Sequence, residues 1–127
     1  MKLDHLILAV NDRAESLRFY SEVLGFTYTG EREPFSVVRA TQECIIQLAP
    51  WGTPGGSHLA FSMTKDEFED TFRRIREAVI KYGDAFDAVG NMKSPGEAEG
   101  AGGLTKSVYC FDPSKNLIEL AYYEDSH

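Results

Sequence analysis

The 127-residue chain predicts an α+β fold built from two βαβββ modules, the first over about residues 1–52 and the second over about residues 57–124. Three observations carry this. Short aliphatic runs of strand length outnumber segments of helical period, of which there are two. Each helical segment opens on a capping signature and closes on a glycine. The letters also repeat across the chain. Asp4-His5-Leu6 is echoed by Ser57-His58-Leu59, and Ser36-Val37-Val38 by Ser107-Val108-Tyr109. Ile45-Ile46-Gln47-Leu48-Ala49 is echoed by Leu117-Ile118-Glu119-Leu120-Ala121. Two copies at this period suggest a duplicated module sharing one sheet and one site.

Residues 3–10 form a short aliphatic run, which reads as a strand buried on both faces. A helix is expected over residues 13–24, with Asp12 and Glu15 as its capping pair and Gly25 as its stop. Leu17, Tyr20 and Leu24 share one of its faces. Three β-like runs follow at residues 26–29, 35–40 and 44–49, separated by turn residues. Residues 50–57 hold two prolines and three glycines and read as the linker. The pattern then restarts with a strand over residues 58–63. Thr64 and Glu67 cap a second helix whose inner face is Phe68, Phe72, Ile75 and Val79, and Gly83 is its expected stop. A strand near residues 85–89 comes next. Residues 90–105 contain five glycines and few apolar anchors, and read as a mobile lid or subunit-contact segment. Strands over residues 107–111 and 116–122 close the module.

Twenty acidic side chains against thirteen basic leave a net charge of −7. Phosphate backbones and anionic membrane surfaces demand clustered Lys and Arg, so neither nucleic acid nor membrane is an expected partner. No apolar run approaches the length that spans a bilayer. The start lacks a signal-peptide core, which makes a cytoplasmic location the expectation. Cys44 and Cys110 both sit inside apolar runs and read as buried, reduced thiols.

Alternation along the strands singles out four polar residues. Residues two apart share a face, so His58 lies with Ala60 and Ser62, opposite Leu59, Phe61 and Met63. Glu119 lies with Leu117 and Ala121, Gln47 with Ile45 and Ala49, and His5 with Ile7 and Ala9. Small alanine neighbours leave space beside each polar group. A carboxylate inside an apolar strand costs several kcal/mol unless it is paired, protonated or metal-bound. Lys106 or Lys115 would serve as an ion-pair partner for Glu119. Two imidazoles and one carboxylate are also the set that binds a first-row divalent ion, with Gln47 as a weaker oxygen ligand.

Residues 3–10 (LDHLILAV), Ser16-Leu17-Arg18-Phe19-Tyr20 through Leu24-Gly25-Phe26, His58-Leu59-Ala60-Phe61, and Phe111-Asp112-Pro113 with Asn116-Leu117-Ile118-Glu119-Leu120 together resemble the vicinal-oxygen-chelate superfamily. That superfamily includes glyoxalase I, methylmalonyl-CoA epimerase, fosfomycin-resistance thiol transferases, bleomycin-resistance proteins and extradiol dioxygenases. The resemblance implies an eight-stranded, open, cup-like mixed sheet with helices outside and a metal at its floor. It maps the metal ligands onto His5, Gln47, His58 and Glu119. It also implies a homodimer, with the site built between chains in many members. Tyr109 and Ser107 match residues before the Asp-Pro of the fosfomycin transferases and become expected substrate-binding positions, with Lys106 beside them for charge. That branch also has a threonine two residues after its first histidine, where this chain has Ile7. An additional catalytic carboxylate like the epimerase's has Glu43 as its candidate.

The resemblance implies a divalent ion (Zn, Ni, Co, Mn or Fe) and a small-molecule substrate that chelates it through adjacent oxygens. The leading expectation is a glyoxalase-like lyase or isomerase that stabilises an enediolate-type intermediate by Lewis acidity, with Glu119 as ligand and base. One alternative is a binding or resistance protein whose cup, lined by Phe35, Trp51 and Tyr109, sequesters a small molecule. Another is an extradiol-type dioxygenase.

Overall fold

A computed structural model describes residues 1–93 and 95–124. In chain order it contains β1 (His5–Ala9), α1 (Arg13–Arg18) continuing into a π turn (Phe19–Val23), β2 (Thr27–Arg32), β3 (Phe35–Arg39) and β4 (Ile45–Ala49). The second module follows with β5 (His58–Ser62), α2 (Lys65–Glu77), β6 (Tyr82–Gly83), β7 (Gly96–Gly100), β8 (Gly103–Phe111) and β9 (Leu117–Tyr123). Among the described residues no helix is long and apolar enough to cross a membrane.

Each module builds its own open sheet. The first runs β1-β4-β3-β2 and the second β5-β9-β8-β6, with β7 also paired to β8. Within each sheet the module's first and last strands lie parallel, β1 on β4 and β5 on β9. The remaining pairs are antiparallel. Among the described residues no strand pairing joins one sheet to the other.

Alternation decides which face each sheet buries. Leu8, Val38, Ile46 and Leu48 of the first module enter one core with Val108, Cys110, Ile118 and Leu120 of the second. Phe68, Phe72 and Ile75 of α2 complete it. Polar contacts tie the modules where the helices meet. The buried Tyr20 hydroxyl donates to Asp112 Oδ2 at 2.6 Å. Arg74 reaches from α2 to the carbonyls that end the first helical segment, Val23 O at 2.8 Å and Leu24 O at 3.3 Å. A guanidinium suits that end because the last carbonyls carry the negative pole of the helix. Gly25, at φ +82°, turns the chain beneath Arg74, where any Cβ would meet the guanidinium.

The capping signals act largely as read. Asp12 accepts from the Glu15 amide at 3.0 Å. Thr64 and Glu67 form a reciprocal box, at 3.1 and 3.0 Å. The modules do not share one sheet, and β1 is not buried on both faces, because its face carrying His5 and Ile7 is exposed. Four further expectations need correction. First, the Leu24 amide bonds back to Phe19 O, five residues away, so the first helix ends in a π turn. Second, α2 stops at Glu77 rather than running on to Gly83. Val79 lies past its end at φ 58° and 85% exposed, not on its inner face.

Third, residues 85–89 form turns, and the strand is Tyr82–Gly83 instead. The amides of Gly90 and Met92 both return to Tyr82 O, which folds the segment over Gly83. A Cβ at Gly83 would collide with the Ala88 backbone, so only glycine permits that closure. Fourth, part of the glycine-rich stretch is ordered: β7 pairs with the start of β8 as a hairpin.

Candidate metal centre

In both modules the first strand carries its histidine at the same register against the last strand. In module 1, Ile7 pairs with Gln47, and His5 lies two residues earlier against Ile45. In module 2, Ala60 pairs with Glu119, and His58 lies two residues earlier against Leu117. The alternation that buries Leu8 and Leu48, or Ile118 and Leu120, turns these four polar side chains to the opposite face.

Module 2 brings its pair together. His58 Nε2 lies 3.1 Å from Glu119 Oε1. The Glu119 side chain is 12% exposed and that of His58 47%. Ser107 donates to the other carboxylate oxygen, Oε2, at 3.1 Å, and its hydroxyl lies 2.8 Å from Thr105 Oγ1. Tyr109 stands across from Glu119 in the ladder. Burial first, and then the Glu119 charge, push its hydroxyl pKa up. A cavity of about 300 Å³ opens beside Glu119, bordered by Ala60, Ser62, Ala121, Tyr123 and the β7–β8 turn. Its small floor residues are the alanines that strand alternation singles out.

Module 1 is less wired. His5 Nδ1 donates to Asp4 Oδ2 at 2.8 Å, which leaves Nε2 with its lone pair free for a ligand role. That hydrogen bond is the main reason the Asp4 carboxyl is held below its usual range. Gln47 is half-buried and neutral, facing Ile7 and Val37 across the ladder. Phe35 and Trp51 meet edge-on at 5.8 Å between centroids.

Two imidazole nitrogens, a carboxylate and an amide oxygen suit a first-row divalent ion. One chain does not gather them. Among the described residues no three His, Cys, Asp or Glu side chains come together as a metal cluster. His58 and Glu119 meet, while His5 and Gln47 belong to the other sheet.

Of the expected substrate-binding residues, Ser107 and Tyr109 share the face of Glu119, and Lys106 does not. Lys106 points to the opposite side of β8, between Glu97 at 3.5 Å and Glu124 at 3.6 Å. It therefore pairs with neither Glu119 nor the cavity. Glu43 lies in the exposed β3–β4 turn, its amide donating to Thr41 Oγ1. The echo of Ser36-Val37-Val38 in Ser107-Val108-Tyr109 is one residue out of register. Val37 faces Gln47 as Tyr109 faces Glu119, so Phe35 corresponds to Ser107. Sequence reasoning missed Asp4 and Thr105. The signals were an acid next to His5, and a polar residue two before Ser107 on the same face.

The family model described as the Glyoxalase/Bleomycin resistance protein/Dioxygenase superfamily matches residues 2–120. The chain belongs to that superfamily. Virulence protein STM3117 of Salmonella typhimurium is 31% identical over 131 residues, covering 96% of this chain and 84% of the relative. Its crystal structure superposes with a TM-score of 0.75 at 30% identity, covering 97% of each chain. The oxidase ChaP-H2 superposes with a TM-score of 0.80 at 25% identity, covering 97% of this chain and 94% of the other. Lactoylglutathione lyase of Agrobacterium tumefaciens has a TM-score of 0.68 at 17% identity, over 95% and 92% of the two chains. At that identity the likeness concerns the fold alone. The glyoxalase superfamily fold, two modules with open sheets, is the architecture described above.

Proposed function

We propose that this chain is a metal-dependent enzyme acting on a small molecule that chelates through adjacent oxygens, as a glyoxalase-like lyase or isomerase. The matched register of His5 with Gln47 and of His58 with Glu119 carries the reading. A duplicated fold has no packing reason to keep a histidine and a polar partner at the same two ladder positions on both outward faces. His5, His58 and Glu119 hold the ion, with Gln47 as fourth ligand. When bound, a divalent cation there supplies Lewis acidity to the substrate's two oxygens. The chain's own side chains orient and exclude water. Asp4 fixes the His5 ring, and the cavity beside Glu119 takes the rest of the substrate.

The four ligands lie in two sheets of one chain, so the reading includes a homodimer. Module 1 of one copy faces module 2 of its partner, which also covers the unpartnered faces of both sheets. Mixing two defective chains tests it. His5→Ala and His58→Ala proteins, each unable to hold metal, are refolded together. A site built between chains recovers about a quarter of the binding capacity, because a mixed dimer has one intact site of two. Sites within a chain recover none. Turnover of methylglyoxal–glutathione hemithioacetal on Ni(II), Co(II), Zn(II) or Mn(II) then tests the lyase branch. No thioester with any of the four removes glyoxalase I activity itself.

The likeness to an oxidase at 25% identity favours a second reading, an Fe(II)-dependent oxygenase. Gln47 separates the two. Oxygen chemistry wants two histidines and one carboxylate with positions left free, and a ligating amide closes one of them. Oxygen uptake by the Fe(II) protein with a catechol, raised rather than lowered by Gln47→Ala, would move the assignment to that branch.

A further inference from the structure

The face of β8 that meets Glu119 carries Thr105, Ser107 and Tyr109 in strict alternation, and all three are buried. The hydrogen bonds among them have a fixed direction. A carboxylate only accepts, so the single proton of Ser107 goes to Glu119 Oε2. The 2.8 Å contact between the two hydroxyls then takes the Thr105 proton, in preference to the longer 3.4 Å approach of Thr105 Oγ1 to the Ala98 carbonyl. The chain runs Thr105 to Ser107 to Glu119. It occupies Oε2 and leaves Oε1 to accept from His58 Nε2, whose hydrogen an arriving ion would displace.

Module 1 supplies the control. At the ladder positions equivalent to Ser107 and Tyr109 it has Phe35 and Val37, and its site residue there is an amide. Hydroxyls occur where the carboxylate occurs, and aromatic and aliphatic groups where it does not. General sheet packing would give no such difference.

We propose that Thr105 and Ser107 are positioning residues that make Glu119 a one-oxygen metal ligand through Oε1, set beside His58 Nε2 before any ion arrives. The proposal rests on the metal reading of the site. It reassigns Ser107 from substrate contact to ligand support. It also opposes a role for Glu119 as a loosened base, since Oε2 is already engaged.

The test is Co(II) binding, followed by calorimetry and by the visible absorption of the bound ion. Ser107→Ala weakens Co(II) binding by about 10–100-fold, the usual cost of losing an outer hydrogen bond to a ligand. It also alters the absorption, because a released carboxylate binds through both oxygens. Thr105→Val keeps the side-chain shape in its buried position and moves both readouts the same way by less, while Thr105→Ser restores them. This series keeps the test sharp even if Ser107→Ala folds poorly. Wild-type protein that binds Co(II), with Thr105→Val and Ser107→Ala within twofold of it and spectrally unchanged, overturns this proposal alone. Wild-type protein that takes up no Co(II) overturns the metal reading, and this proposal with it.

Discussion

The two modules share a plan and differ in how much each half-site is prepared. In module 2 the carboxylate of Glu119 is nearly buried and wired to His58 and Ser107. In module 1 Gln47 is neutral, and His5 leans on its chain neighbour Asp4 in the open. The difference follows from charge. A half-buried amide costs little to leave loosely held, whereas a buried carboxylate costs several kcal/mol unless hydrogen-bonded. Placing a carboxylate in a sheet therefore draws a polar network in behind it, and an amide at the same register does not.

The largest expected effect breaks that asymmetry directly. Glu119→Ala should abolish stoichiometric metal loading, measured by elemental analysis after dialysis. Gln47→Ala should weaken it by about tenfold, as for a weak neutral oxygen ligand. Equal losses would mean that the halves contribute alike, and full occupancy in Glu119→Ala would remove Glu119 as a ligand.

The cysteines extend the comparison. Cys44 is half-buried, while Cys110 is buried in the core with its thiol pushed up to about 12, first by burial and then by the charge of Asp112. A raised folded-state value stabilises below the unfolded one, and that stability is lost as pH climbs through the folded value. The window here runs from about 9 to about 12. Between pH 8 and pH 11 this one group removes about 2–3 kcal/mol of stability. Denaturant melts at the two pH values measure it, and Cys110→Ala should flatten that decline. An unchanged slope in the variant would assign the loss elsewhere. In native protein at pH 8 a thiol reagent should modify Cys44 and spare Cys110.

Next in size is the joint between the modules. Tyr20→Phe removes the hydroxyl that donates to Asp112 and leaves the carboxylate its backbone and Asn116 donors. A hydrogen bond to a charged group contributes about 1.5–3 kcal/mol, so the thermal midpoint should fall by several degrees. Metal affinity should change little, because the joint lies on the side away from the proposed ligands. A large loss of metal binding would show that the joint sets the site geometry.

Most of the frame was legible because it rests on local rules. Strand alternation put His5, Gln47, His58 and Glu119 on the faces they occupy, and the cap residues marked both helix starts. The misses arise where distant contacts win over local pattern. Nothing in Phe19-Tyr20-Ser21 announces a π turn whose aromatic pair is held by the core and by Asp112 in the other module. Gly83 looked like a helix stop, but its lack of a Cβ serves the segment that folds over it. The glycine-rich stretch is a local exception: it gains its order largely by folding on itself, with Ala98–Thr105, Glu99–Leu104 and Gly100–Gly103 pairing within it. Lys106 differs in kind. Alternation alone places it opposite Ser107 and Tyr109, so the rule that found Glu119 would have removed it.

The helix ends hold the smallest and cleanest difference between the modules. Gly25 turns the chain at φ +82° after the first helix, where glycine carries no steric penalty. After α2 the same left-handed position is taken by Val79, at φ 58°. The bonds there are those of a Schellman ending: the Ile80 amide returns to Ile75 O at 3.1 Å and the Val79 amide to Arg76 O at 3.0 Å. Ile80 packs against the core, which holds the ending in place although a β-branched residue resists that conformation by about 1–2 kcal/mol. Val79 is 85% exposed, so its side chain contributes almost no burial in return. Val79→Gly should therefore relieve the strain and still cost some unfolded-chain entropy, for a net gain of about 0.5–1 kcal/mol. A midpoint higher by a few degrees, with metal binding unchanged, is the expected result. A midpoint lower by no more than the glycine entropy cost would mean that the strain at Val79 is small, and a larger fall would mean that Val79 is covered in solution, with the second copy proposed for the metal site as the first surface to examine.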